Sequence, residues 1–233
     1  MRPLSVTALR VVLLTTSTLA IAGCGTRIGT TTAQNSYTIT EPVTSLRIDN
    51  PVGNTEIEAT DTNTVSVAEQ LRYTGEPPQT RSPVSGGRLS LSYICPGILD
   101  VNSCSVTYVL KVPRRLAVQI DGKVGVTTLT GLAGPLTLTS STGDIDATGL
   151  TSAMVTARAE AGTITLGFTA PPTTVDAQAQ VGSVTVRLPA GTAYAVDAGS
   201  QVGSADVTLQ RDPGSLHRVT AHSQVGSVRV ENG

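Results

Sequence analysis

From Leu46 onward the chain alternates apolar and polar residues in short runs, the period-two signature of strands with one buried face. The runs are registered on glycines. Gly125, Gly143, Gly162, Gly182, Gly203 and Gly226 recur at spacings of 18, 19, 20, 21 and 23 residues, and Gly53 marks a seventh, outlying copy. Seven residues before these glycines, beginning with the Gly53 copy, stand Leu46, Val118, Leu136, Val155, Val175, Val196 and Val219. Five before stand Ile48, Ile120, Leu138, Ala157, Ala177, Ala198 and Ala221. Three before, the residue is small in every copy except the first, where it is Asn50. Two and four after come pairs such as Ile164 and Leu166, Val184 and Val186, and Val228 and Val230, while the Gly125 copy departs with Thr127 and Leu129.

The buried positions are odd-numbered before each glycine and even-numbered after it, so the chain must turn a corner there to keep its apolar side inward. Glycine supplies the backbone conformation that such a corner demands. One strand-corner-strand module cannot bury its own face, but stacked copies bury a continuous column. The predicted fold is all-β, a parallel β-solenoid of six to seven rungs, with right-handed coiling expected from the bias of crossover connections. Residues 116–233 carry the regular rungs. Residues 37–115 fit less well and are expected to supply a first rung and an excursion that caps the open N-terminal end.

The chain begins differently. Arg2 and Arg10 precede an uncharged run from Val11 to Ala22 and then Gly23-Cys24, the layout of a secretory signal over residues 1–23. Ile21-Ala22-Gly23-Cys24 resembles the bacterial lipobox, which makes Cys24 the lipidated N-terminus of the mature chain. Two or three acyl chains on that cysteine give stable anchoring to the extracytoplasmic face of the cell membrane. Residues 24–36, rich in Thr and Gly, are expected to form a flexible tether.

Removing the first 23 residues leaves 14 basic and 17 acidic side chains. That balance, with no Trp and a single Phe, lacks both the basic footprint and the stacking platforms of a nucleic-acid binder. Cys95 and Cys104 remain as an even pair in an exported chain and are expected to bond to each other around the turn at Pro96-Gly97.

Tyr108-Val109-Leu110-Lys111-Val112-Pro113, then Gly122-Lys123-Val124-Gly125, Thr130-Gly131-Leu132 and Ser141-Thr142-Gly143-Asp144-Ile145, resemble the DUF4097 "putative adhesin" family over roughly residues 40–230. The resemblance implies a β-solenoid in the bacterial envelope and brings no catalytic residues with it.

Candidate chemistry is sparse. Asp144 and Asp146 share an outward face at a separation compatible with acid-base carboxylates, but Ser and Thr fill their columns in the neighbouring copies. Asp176 and Asp197 are expected to stack on adjacent rungs, with Arg158 and His222 close by, as a polar or cation-binding patch. Gln180, Gln201 and Gln224 read as a structural side-chain ladder. No metal or cofactor motif accompanies them. The function expected is contact: a membrane-anchored adhesin or envelope scaffold, non-catalytic, whose partners are the membrane through its lipid and an envelope, cell-surface or glycan component. The alternatives are a carbohydrate-active β-helix enzyme and an accessory protein of an envelope-stress response.

Overall fold

Each registered glycine is a corner between two strands, and the corners stack. In a computed structural model, which describes residues 29–96 and 104–233, the strands before the glycines form one sheet and those after them another. In the first sheet, Ser45–Val52, Ala117–Val124, Leu136–Thr142, Met154–Ala161 and Thr174–Val181 pair in parallel and in order. The second sheet repeats that order with Thr55–Thr60, Thr127–Thr130, Ile145–Leu150, Ile164–Phe168 and Val184–Leu188. The apolar columns meet between the sheets: Ile48, Leu138, Ala157, Ala177, Ala221, Ile164 and Val184 are all solvent-inaccessible. The all-β solenoid expected from the pattern is therefore the observed fold.

The outlying Gly53 copy is not outlying in space, since Leu46 pairs with Val118 and Val52 with Val124. The excursion after it builds a further turn of the solenoid on its other side. Arg88–Ile94 lies parallel to Ser45–Asp49, and Cys104–Pro113 lies parallel to Thr55–Thr60. Where other rungs have a glycine corner, the two strands of this one are joined by a Cys95–Cys104 disulfide, with Cα atoms 6.2 Å apart. Two antiparallel strands, Val65–Tyr73 and then Thr31–Ile39, cover the Cys104–Pro113 edge. These strands add antiparallel pairs at the edge of an otherwise parallel sheet. They also shorten the tether expected over residues 24–36, because Thr31–Ser36 pairs with Ala68–Tyr73.

A second correction concerns rung order. The last module in sequence, Arg218–Val225 with Val228–Asn232, inserts between the Gly182 rung and the Gly203 rung. The Gly203 module, Ala195–Val202 with Ala205–Val207, is thereby left at the open end. The sequences accord with the exchange: the inserted module carries Val228 and Val230, both buried, where the terminal one carries Ala205 and Val207. The module with the better apolar face takes the covered position.

The N-terminal cap carries most of the aromatic residues. Tyr37 donates to buried Glu69 at 2.7 Å, and the Tyr93 hydroxyl donates to the Val52 carbonyl at 2.6 Å and accepts its N–H at 2.9 Å. Burial is the main force that pushes the Tyr37, Tyr93, Tyr108 and Tyr194 phenols above their ordinary range, with the Glu69 charge adding to the effect at Tyr37 and Tyr108. A raised phenol favours the neutral form in the fold. Its contribution to stability is whole below about pH 10 and is lost as pH rises through the folded-state value. In an alkaline titration, phenolate absorbance from these four residues should lag behind that of free tyrosine and rise together with loss of sheet circular dichroism. Ordinary phenolate formation with the sheets intact would contradict it.

Candidate functional site

A groove of about 750 Å³ crosses six strands on the outer face of the pre-glycine sheet. At ~4.8 Å per strand it runs roughly 24 Å along the solenoid axis. Its floor is the column three before each glycine: Gly122, Ser140, Ala159, Ala179, Ser223 and Ser200. These small residues point inward at the corner and let the backbone sink. Ser140 donates to the Gly143 carbonyl at 3.0 Å, Ser223 to Gly182 at 2.8 Å and Ser200 to Gly226 at 2.7 Å. Asn50, the exception in sequence, does the same work by donating to the Gly53 carbonyl at 3.0 Å. The smallness of the column was visible in the sequence; its hydrogen-bonding role was not.

One wall is the column four before the glycines, where Asp121, Thr139, Arg158, Gln178, His222 and Gly199 stand in register. The other wall, two before, is Lys123, Ser141, Glu160, Gln180, Gln224 and Gln201. Lys123 donates to Asp121 across the groove at 2.8 Å and closes its end nearest the first rung. That hydrogen bond chiefly holds the Asp121 carboxyl below, and the Lys123 ammonium above, their ordinary ranges.

The expected Asp176–Asp197 stack does not form. Thr220 pairs with Asp176 on one side and with Asp197 on the other, because the last module is inserted between their strands. Asp176 instead accepts from Arg158 at 2.6 Å and from Gln178 at 2.8 Å, which fixes two side chains of the groove wall. Asp197 lies 3.3 Å from His222 Nε2. Each carboxylate thus faces a different nitrogen-bearing side chain, and among the described residues no three His, Cys, Asp or Glu side chains converge. Cys24 lies outside the described residues.

Asp144 and Asp146 also have assigned surroundings. Asp144 accepts the Thr163 N–H at 2.7 Å, tying one rung to the next, and Asn54 accepts the Val126 N–H at 3.0 Å from the equivalent position of its rung. Asp146 lies in register between Thr128 and Thr165, with no basic side chain opposite in either strand. This arrangement suits a corner clamp rather than an acid-base pair. His217 is a structural tie, its Nδ1 2.6 Å from the Pro172 carbonyl and its ring edge-on to Tyr194.

The same stacked corners recur elsewhere. The Toastrack DUF4097 family model matches residues 117–231, from the strand after the excursion to the inserted last module. These rungs belong to the Toastrack DUF4097 family. A "putative cell adhesion protein" from Clostridium sporogenes shares the Toastrack fold with a TM-score of 0.52 at 12% identity, over 87% of this chain and 100% of that one. A "putative adhesin" from Bacteroides fragilis does so with a TM-score of 0.51 at 16% identity, over 87% of this chain and 97% of that one. No curated protein matches the sequence. At these identities the likeness carries the Toastrack architecture, and the groove has to be read from its own residues.

Proposed function

We propose that this chain is an adhesin-like contact protein of the bacterial envelope, anchored by lipid at Cys24 and non-catalytic. The observation that carries the reading is the groove: a continuous polar surface across six rungs, in which Asp121 and Lys123 are hydrogen-bonded to each other and Arg158 is held by Asp176. Catalysis requires groups that converge on one reacting atom with matched proton affinities. Repeated, spaced side chains suit the holding of an extended partner instead. The descriptions of the two structural neighbours as adhesion proteins support the same class.

The test uses the full chain in a bacterium that matures lipoproteins. Wild type should be found in the membrane fraction with a lipid-modified Cys24 at its N-terminus, and Cys24→Ala should be released. Bacteria expressing wild type should adhere to other bacterial cells or to epithelial monolayers severalfold more than vector controls. An unmodified mature N-terminus would remove the anchor from the reading, and adhesion equal to the vector control would remove the contact function.

A further inference from the structure

The phrase Gln-Val-Gly-Ser occurs three times, at Gln180, Gln201 and Gln224, and the exchanged rung order places the three copies on adjacent strands at the open end. The expected ladder of mutually bonded amides is absent: among the described residues none of these three side chains has a hydrogen-bond partner. Each is exposed on the groove wall and offers two N–H donors and a carbonyl acceptor. Beside each stands an exposed valine, Val181 at 55%, Val225 at 47% and Val202 at 64%. Val181 pairs with Val225, and Val225 with Val202. Every rung at this end therefore repeats an unpaired amide next to a bare isopropyl group, at ~4.8 Å intervals.

The geometry points to a binding site for a linear glycan bearing acetamido groups, lying along the groove over the Gln180, Gln224 and Gln201 rungs. This inference rests on the contact function proposed above and names its ligand class. An acetamido group is an amide carrying a methyl, the complement of a glutamine beside a valine. Beyond the rung of Arg158 and Glu160, the end of the groove formed by Gln178, Gln180, Gln224 and Gln201 has no carboxylate or guanidinium in its walls, and Arg158 itself is engaged by Asp176. No aromatic side chain lines the groove, so recognition proceeds through hydrogen bonds and small apolar contacts rather than ring stacking. A β-linked hexosamine chain advances by close to one rung per sugar, and successive sugars alternate faces. Acetamido groups on one side then recur every second rung, matching Gln180 and Gln201, while Gln224 between them meets ring hydroxyls. An extended peptide fits less well, because its like-facing groups recur at about 6.7 Å, out of step with the rungs.

The experiment is titration of the secreted Cys24→Ala chain, by calorimetry and saturation-transfer NMR, with the hexamers of N-acetylglucosamine, glucosamine and glucose, and with peptide-stripped glycan strands from bacterial cell wall. The acetylated hexamer should bind at least tenfold more tightly than the other two. Adding Gln180→Ala and Gln201→Ala together should weaken that binding at least tenfold, while Thr165→Ala on the opposite sheet should leave it unchanged, with all variants keeping the wild-type circular dichroism. Binding of the wall strands as well as the acetylated hexamer marks the wall as a source of the ligand, and binding of the hexamer alone marks a free or foreign glycan. Failure of every glycan to bind, equal binding of all three hexamers, or binding insensitive to the two glutamines would overturn the site. Should adhesion persist in that case, the ligand class falls and the contact function stands.

Discussion

Gly182→Ala should destabilise the solenoid by about 4 kcal/mol, a loss at the upper end for single substitutions. Gly182 has φ of +143°, and an added Cβ would sit inside the carbonyl oxygen of Gly162 in the neighbouring rung. That collision is with backbone, so no rotamer change relieves it. The two rungs would have to part at the corner, where the Gly162 N–H donates to Val181 at 2.9 Å and the Gly182 N–H to Val225 at 2.8 Å. Gly191 supplies the control, since it has φ of +83° but no heavy atom within 4 Å of an added Cβ. Gly191→Ala should cost about 1 kcal/mol, the conformational penalty alone. Denaturant unfolding followed by circular dichroism separates the two, and equal losses would mean that stacking at the corner does not require glycine.

The second large effect is a contrast between neighbours. Val184→Asp should cost several kcal/mol more than Thr185→Asp, enough for the first variant to accumulate unfolded while the second melts close to wild type. Val184 is fully buried and pairs with Ile164 and Val228 inside the core, so a carboxylate there is desolvated without a partner. Thr185 faces outward on the same strand between Thr165 and Arg229, where a carboxylate meets solvent and a guanidinium. Similar melting temperatures for the two variants would contradict the observed register.

The rungs were legible because their signal is local. Alternation marks the strand, the shift from odd to even positions marks the corner, and glycine at that shift is required by the close approach of the next rung. The disulfide was legible from an even pair of cysteines around a turn. What lay beyond local pattern was neighbour order. Leu188 to Tyr194 and Thr208 to His217 have no periodicity, yet they carry the chain past one rung position and back, and with it the separation of Asp176 from Asp197. Thr31–Ser36 reads as tether because its strand face is nearly all polar, and it is held by pairing to Val65–Tyr73 rather than by an apolar stripe. The groove escaped for a related reason. Arg158, His222 and the glutamines each belonged to a recognisable column, but a concavity arises only from two outward columns flanking a sunken one.

The exchanged order of the last two rungs also bears on how the chain can be completed. A polypeptide is made from its N-terminal side, and rungs up to Gly182 can each dock on a neighbour that has already arrived. The Gly203 module cannot, because the strands it pairs with, Arg218–Val225 and Val228–Asn232, follow it out. Pairing is therefore sequential over most of the rungs and concerted at the open end: the segment from Ala195 to Asn232 must all be present before the Gly203 module has its neighbour. Val228–Asn232, which pairs with both Val184–Leu188 and Ala205–Val207, is the strand that locks the tip.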